Sequence, residues 1–222
     1  MVCIATPVRA GGISARTYQL RIDHCYVNGV SVQEEASGHL LPTFCPERHI
    51  NDGGTFCIGY KAEYEVDDES SARVWWEKLR VFLLCQETAH ASRKWPPYAQ
   101  LSHGRAGAEQ LVAEQLAGKF GVAGEYKQFV KDDTGPFASI FNVAGRTRFS
   151  HVNKRASCLC GKRNPAKRNS VMTRLECSRS GGVCDLARSE ARRRALERDF
   201  WKPYIGKKTC CGTMNVCPLA SP

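Results

Sequence analysis

"CPERHINDGGTFCIGY", residues 45–60, places two cysteines, a histidine, an asparagine and a glycine pair in one short stretch. Asn51-Asp52-Gly53-Gly54 is a turn by composition, because asparagine, aspartate and glycine tolerate the backbone angles that tight turns need. Cys57 follows that turn directly, flanked by Phe56 and Ile58. Three uses are open for a cysteine so placed: a nucleophile, a metal ligand, or a small buried hydrophobe. Cys45, directly before Pro46, lacks the Asn-Gly approach and reads as structural.

The flanking sequence supplies the frame. Upstream, TYQLRIDHCYV (17–27) alternates and is rich in β-formers, and Asn28-Gly29 after it signals a hairpin whose returning strand is VSVQEE. Downstream, DDESSARVWWEKLRVFLLCQ has helical periodicity, with Ser70 or Ser71 as cap and Trp75, Leu79, Phe82 and Leu83 on one face. Trp95-Pro96-Pro97-Tyr98 breaks the chain, since proline donates no backbone hydrogen bond. A second helix is expected over residues 105–117, with Leu111, Val112 and Leu116 inward and Gly118 closing it. Residues from Gly135 read as loop and a short strand, and Asp185 opens a third helix rich in arginine. The fold class is α+β, a short antiparallel sheet with flanking helices.

Composition divides the chain. Of its 222 residues and net charge of +10, residues 151–222 carry sixteen Lys and Arg against five Asp and Glu. They also hold seven of the twelve cysteines. Two shifts at one point place a domain boundary near residue 150, separating residues 1–150 from a basic, cysteine-rich module over 151–222. The N-terminal sequence has no signal-peptide apolar core, and no run has the length of a membrane span, so a cytoplasmic, membrane-free protein is expected. In a reducing compartment clustered cysteines are metal ligands or reactive thiols more often than disulfides.

A nucleophilic Cys57 attacking a carbonyl needs a donor for the oxyanion that forms, and the Asn51 amide can supply one. His49 can order the turn or act as a base. His103, in "LSHGRAG", either completes a Cys-His pair with Cys57 or solvates the start of the second helix. The order His-x-Asn, glycine, cysteine, apolar residue resembles the active-site signature of ubiquitin-conjugating enzymes, where a His-Pro-Asn tripeptide precedes the thioester-forming cysteine. His49, Ile50 and Asn51 stand at those positions, with Cys57 as nucleophile. The stretch is most similar to the divergent bacterial branch found beside antiphage signalling and ubiquitin-like conjugation genes, as are Trp75-Trp76 and HGRAGAEQL. Isoleucine replaces the proline, the spacing from histidine to cysteine is shorter, and the strands before the motif are abbreviated. The family's N-terminal helix is missing.

What the resemblance implies is a Cys57 thioester with the C-terminus of a ubiquitin-like protein or of a cyclic-oligonucleotide synthase, passed on to a lysine. Asn51 would hold the oxyanion, His49 would brace the turn, and an activating enzyme would be a further partner.

In the tail, "CLCGKRNPAKR" and "IGKKTCCG" together resemble the SEC-C metal-binding motif. That resemblance implies structural zinc held by Cys158 and Cys160 with Cys210 and Cys211, four thiolates suiting a tetrahedral ion. Cys177 and Cys184, joined by a Gly-Gly turn, form another pair that completes a second site with Cys217 and His151 or swaps into the first. The basic face, with Arg188, Arg192, Arg193, Arg194 and Arg198 on one helix, suits nucleic acid or an acidic protein. A non-catalytic, zinc-stabilised nucleic-acid or protein adaptor is therefore the alternative to a transferase.

Overall fold

The computed structural model describes residues 1–9, 11–12, 15–25, 29–36, 39–59, 66–135, 137–138 and 180–220. Cys158, Cys160 and Cys177 lie outside these residues, as do the compositional break near 150 and the side chain of Cys184. The chain forms two compact units, one of Met1–His103 with Trp201–Pro222 and one of Gly104–Phe200.

The first unit is α+β. Strands β1 (Val2–Ala5), β2 (Tyr18–Cys25) and β3 (Gly29–Glu34) make an antiparallel sheet in the order β1-β2-β3. In β2 the side chains of Tyr18, Leu20 and Ile22 are buried while Gln19, Arg21 and Asp23 face out, the two-residue period of a half-covered strand. Ile22 pairs with Val32 across the β2–β3 ladder. β1 is not foreseen by the sequence reading: VCIA is too short to show a pattern, and its pairing with β2 creates it.

Helix α1 (Glu69–Ser92) covers the sheet with Trp75, Leu79, Phe82 and Leu83, the expected face, extended by Cys85, Gln86 and Ala89. Its cap is Asp68 rather than a serine. The Asp68 carboxylate accepts the Ser71 backbone N–H at 2.7 Å, and Ser71 Oγ accepts the Asp68 N–H at 3.0 Å. This reciprocal arrangement satisfies two amide donors at once. The core these elements share also includes Ile50, Phe56, Trp95 and Met214, so the last twenty residues contribute to it.

The second unit is helical among its described residues: α2 (Arg105–Lys119), α3 (Ala123–Asp132) and α4 (Ser180–Trp201), the last belonging to it through Phe200. The inward face of α2 differs from expectation. Ala106, Gln110, Ala113 and Ala117 are buried, whereas Val112 is 45% exposed and Leu111 and Leu116 are half-buried. Tyr126, Phe129, Phe137 and Leu186 fill the space beside the alanines, so small residues on α2 face large ones elsewhere. Gly118 falls inside the helix, and Phe120 ends it.

Four arginines of α4, Arg188, Arg192, Arg193 and Arg194, are engaged within their own unit. Arg193 and Arg194 both donate to Glu190 at 2.7 Å, and Tyr126 Oη donates to the same carboxylate at 2.6 Å. Burial pushes the Glu190 pKa up, but the bonds and charge of Arg193, with Tyr126 and Arg194, hold it below the ordinary carboxylate range. Arg194 also pairs with Asp133, Arg188 with Asp185 and Arg192 with Glu109. No helix of the described residues is long and apolar enough to cross a membrane.

Candidate functional site

The Cys45–Gly59 segment folds back on itself in the first unit. Pro46–Arg48 make one turn of 3-10 helix, and His49 ends it with φ of 54°, its N–H donating to the Pro46 carbonyl at 2.7 Å. Cys45 and Ile50 then exchange both backbone hydrogen bonds at 3.0 Å, closing the loop. The chain reverses a second time at Asn51–Thr55. Asn51 N–H donates to Thr55 O at 2.8 Å, and Gly54 N–H to Asn51 O at 3.0 Å. Gly53 and Gly54 have φ of 90° and 87°, a region that side chains with a Cβ rarely adopt, which is why the turn carries both glycines. Phe56 N–H donates to Val32 O at 2.8 Å, fastening this second turn to β3.

The double reversal returns Cys57 to the His49 backbone: Cys57 N–H donates to His49 O at 2.8 Å. Cys57 is half-buried, and the contact of its Sγ, to the Gly59 carbonyl, is long at 3.9 Å. Burial raises its pKa, since a thiolate loses more than a thiol when water is removed. Asn51 is exposed at the tip of the turn, with its amide donating to Thr55 Oγ1 at 3.3 Å. That long bond leaves the amide able to reorient toward an incoming carbonyl.

His49 is buried between rings, with centroids 4.9 Å from Trp95 and 5.4 Å from His103. His103 Nε2 is 2.9 Å from the Pro46 carbonyl, and its ring meets Trp201 edge-on. His103 thus fixes the turn that carries His49.

Arg48, which the sequence reading passes over, lies at the base of the loop and is 1% exposed. Its Nε donates to Gln86 Oε1 at 2.8 Å and one terminal nitrogen to the Gln86 carbonyl at 3.2 Å, while Gln86 Nε2 donates to Arg48 O at 2.7 Å. The motif is thereby bolted to α1. Nothing in sequence spacing announces this, because Arg48 and Gln86 are brought together only when the helix packs.

Residues 201–220 also reach the motif. Lys208 Nζ is 2.9 Å from Asp52 and lies over the Phe44 ring, and Tyr204 packs on Phe44 at 5.0 Å. The Cys210-Cys211 pair parts company. Cys211 Sγ lies 3.1 Å from Thr213 Oγ1, whereas the Cys210 sulfur accepts the Gly212 N–H at 3.3 Å. The neighbouring Cys45 thiol lowers the Cys211 pKa below the ordinary thiol value, with Thr213 and the Arg48 charge acting in the same direction. Among the described residues no group of three or more His, Cys, Asp or Glu side chains is gathered to hold a metal.

Residues 1–97 match the family model described as a prokaryotic E2 domain, and residues 102–219 match that of a cysteine-rich domain C-terminal to the E2 domain. No curated protein matches the chain, and neither does any solved structure.

Proposed function

We propose that this chain, which belongs to the family in which a prokaryotic E2 domain precedes a cysteine-rich domain, uses Cys57 as the thioester-forming nucleophile of a ubiquitin-conjugating-like transferase. The observation that carries the reading is the return of Cys57 to the His49 backbone through the Asn51–Thr55 turn. Sulfur, exposed amide and bracing histidine belong to one small loop. In the reaction, the Cys57 thiolate attacks the activated C-terminal carbonyl of a partner and expels the donor thiol. A lysine amine then attacks that carbonyl and expels the Cys57 thiolate. Asn51 donates to the oxyanion in both steps, and His49 holds the turn rather than moving a proton.

The partner proposed is a ubiquitin-like protein or a cyclic-oligonucleotide synthase, delivered by an activating enzyme in bacterial antiphage defence, in the cytoplasm. Incubating the chain with activating enzyme and such a partner should give a thiol-sensitive adduct on non-reducing electrophoresis. Cys57→Ser should give a thiol-resistant ester, and Cys57→Ala none. An adduct on Cys57→Ala would place the chemistry elsewhere, and the absence of any adduct with the wild type would favour a non-catalytic adaptor.

Structural zinc is proposed for the cysteine-rich domain, on Cys158 and Cys160 with Cys210 and Cys211, and with Cys177 and Cys184 as a further pair. Support comes from their clustering among basic residues, which favour the thiolate. Purified protein should contain zinc by plasma mass spectrometry, and a strong chelator should lower the midpoint of thermal unfolding. A folded chain free of metal would remove the proposal.

A further inference from the structure

Lys208 is held at the turn that carries the candidate nucleophile. Its Nζ is 2.9 Å from Asp52 Oδ1 and 5.6 Å from the centre of the Phe44 ring, so a carboxylate and a ring face hold one ammonium. The backbone behind it is folded onto the same unit. Trp201 is buried, Tyr204 packs on Phe44, and the Lys207 and Lys208 N–H groups both donate to the Tyr204 carbonyl, at 3.0 and 2.9 Å. Asp52 is at the tip of a hairpin whose rungs are Asn51–Thr55 and His49–Cys57. Ile50 and Phe56 pair between those rungs and are buried, so strand alternation turns Asn51, Thr55 and Cys57 away from the core. Cys57 lies two residues along the strand from Thr55, about 7 Å at about 3.3 Å per residue. The flexible four-carbon stem of a lysine covers such a distance once its amine leaves the carboxylate.

We propose that Lys208 is a self-acylation site, the amine in this chain that takes the acyl group from Cys57 when no other acceptor is bound. The inference rests on the reading of Cys57 as the thioester-forming residue, and adds to it a lysine supplied by the C-terminal segment. The Lys208 ammonium first gives a proton to water. Its nitrogen then attacks the carbonyl carbon of the Cys57 thioester, and Asn51 donates to the oxyanion. A C–N bond forms, the C–S bond breaks, and the sulfur leaves with the bonding electrons as a thiolate. The remaining extra proton on nitrogen passes to water. The products are an amide on Lys208 and a regenerated Cys57, with no change of oxidation state. The ion pair with Asp52 is open to water and holds the amine only loosely, which leaves it able to transfer. Acylation removes the positive charge, so the modified side chain no longer pairs with Asp52.

The test uses the full chain and a chemical donor, a short glycine-ended peptide as its mercaptoethanesulfonate thioester, which exchanges onto thiols without an activating enzyme. Digestion and mass spectrometry then read the Cys57 thioester and the amide on each lysine over time. Held beside the thioester, Lys208 should be acylated at least about tenfold faster than its exposed neighbour Lys207, since proximity raises the effective concentration of the amine. Cys57→Ala should bring Lys208 down to the level of Lys207. Asp52→Asn should slow Lys208 acylation severalfold while the thioester still forms, and Lys208→Arg, which keeps the charge, should lengthen the life of the thioester. A Cys57 thioester with Lys208 acylated no faster than Lys207 overturns this proposal alone. So does acylation of Lys208 that is undiminished in Cys57→Ala, because the acyl group then comes from elsewhere. A wild-type chain that forms no Cys57 thioester overturns the reading of Cys57 and this inference with it.

Discussion

Cys57 sits where its own thiolate is disfavoured. Its half-buried position raises the thiol pKa, so at neutral pH a smaller fraction is ionised than for a free cysteine. The sign follows directly: a raised pKa moves the gain in thiolate to higher pH. Iodoacetamide labelling of Cys57, followed by mass spectrometry against pH, should therefore show a midpoint above the about 8.5 of a free cysteine. A midpoint at or below that value would contradict the environment described for this sulfur. The contrast with Cys211, held down by its neighbours, makes an internal control in the same digest. Sequence reading reaches Cys57, Asn51 and His49 because turn chemistry is local and glycine positions betray the backbone. It does not reach Arg48, whose partner Gln86 lies 38 residues along the chain.

Helix α1 does two jobs, covering the sheet and anchoring the motif. The first is written in its periodicity, and Trp75, Leu79, Phe82 and Leu83 are foreseen as the buried face. The second rests on Gln86, a polar residue on that same face whose amide satisfies the buried Arg48 guanidinium and the Arg48 carbonyl. Gln86→Leu keeps the apolar cover and removes both bonds, leaving a charged group short of an acceptor. It should cost about 3 kcal/mol in urea unfolding, since bonds to buried charged groups contribute about 1.5–3 kcal/mol and the orphaned donor adds to that. The same variant should form less Cys57 adduct. A change within about 0.5 kcal/mol would mean that the anchor is dispensable. Helix α2 shows the opposite limit of pattern reading. Leucine and valine draw the eye, yet alanines line the buried side, because the aromatic rings of Tyr126, Phe129 and Phe137 need the room. Size complementarity is a property of pairs, and a single sequence shows one partner at a time.

The chain as a whole does not fold in the order in which it is written. The E2 family match ends at residue 97, but the unit it names includes Trp201–Pro222, and Met214 lies 7% exposed in its core. Removing residues 203–222 should therefore destabilise the first unit by at least about 3 kcal/mol, the range found when a buried methionine or leucine is cut back to alanine. The readout is chemical unfolding followed through Trp75 and Trp95, and an unchanged midpoint would show that the segment merely rests on the surface. By contrast, Lys208→Ala should shift stability by less than about 0.5 kcal/mol, as its pair with Asp52 is open to water. The discontinuity also imposes an order on synthesis. About a hundred residues separate the two parts of the first unit, and at about 5–20 residues per second the ribosome takes on the order of 5–20 s to bridge them. During that interval the sheet, α1 and Cys57 have already emerged without the segment that finishes their core. A chain released before residue 201 would carry Cys57 on an incomplete scaffold, because the segment that completes the first unit is made only after the whole of the second.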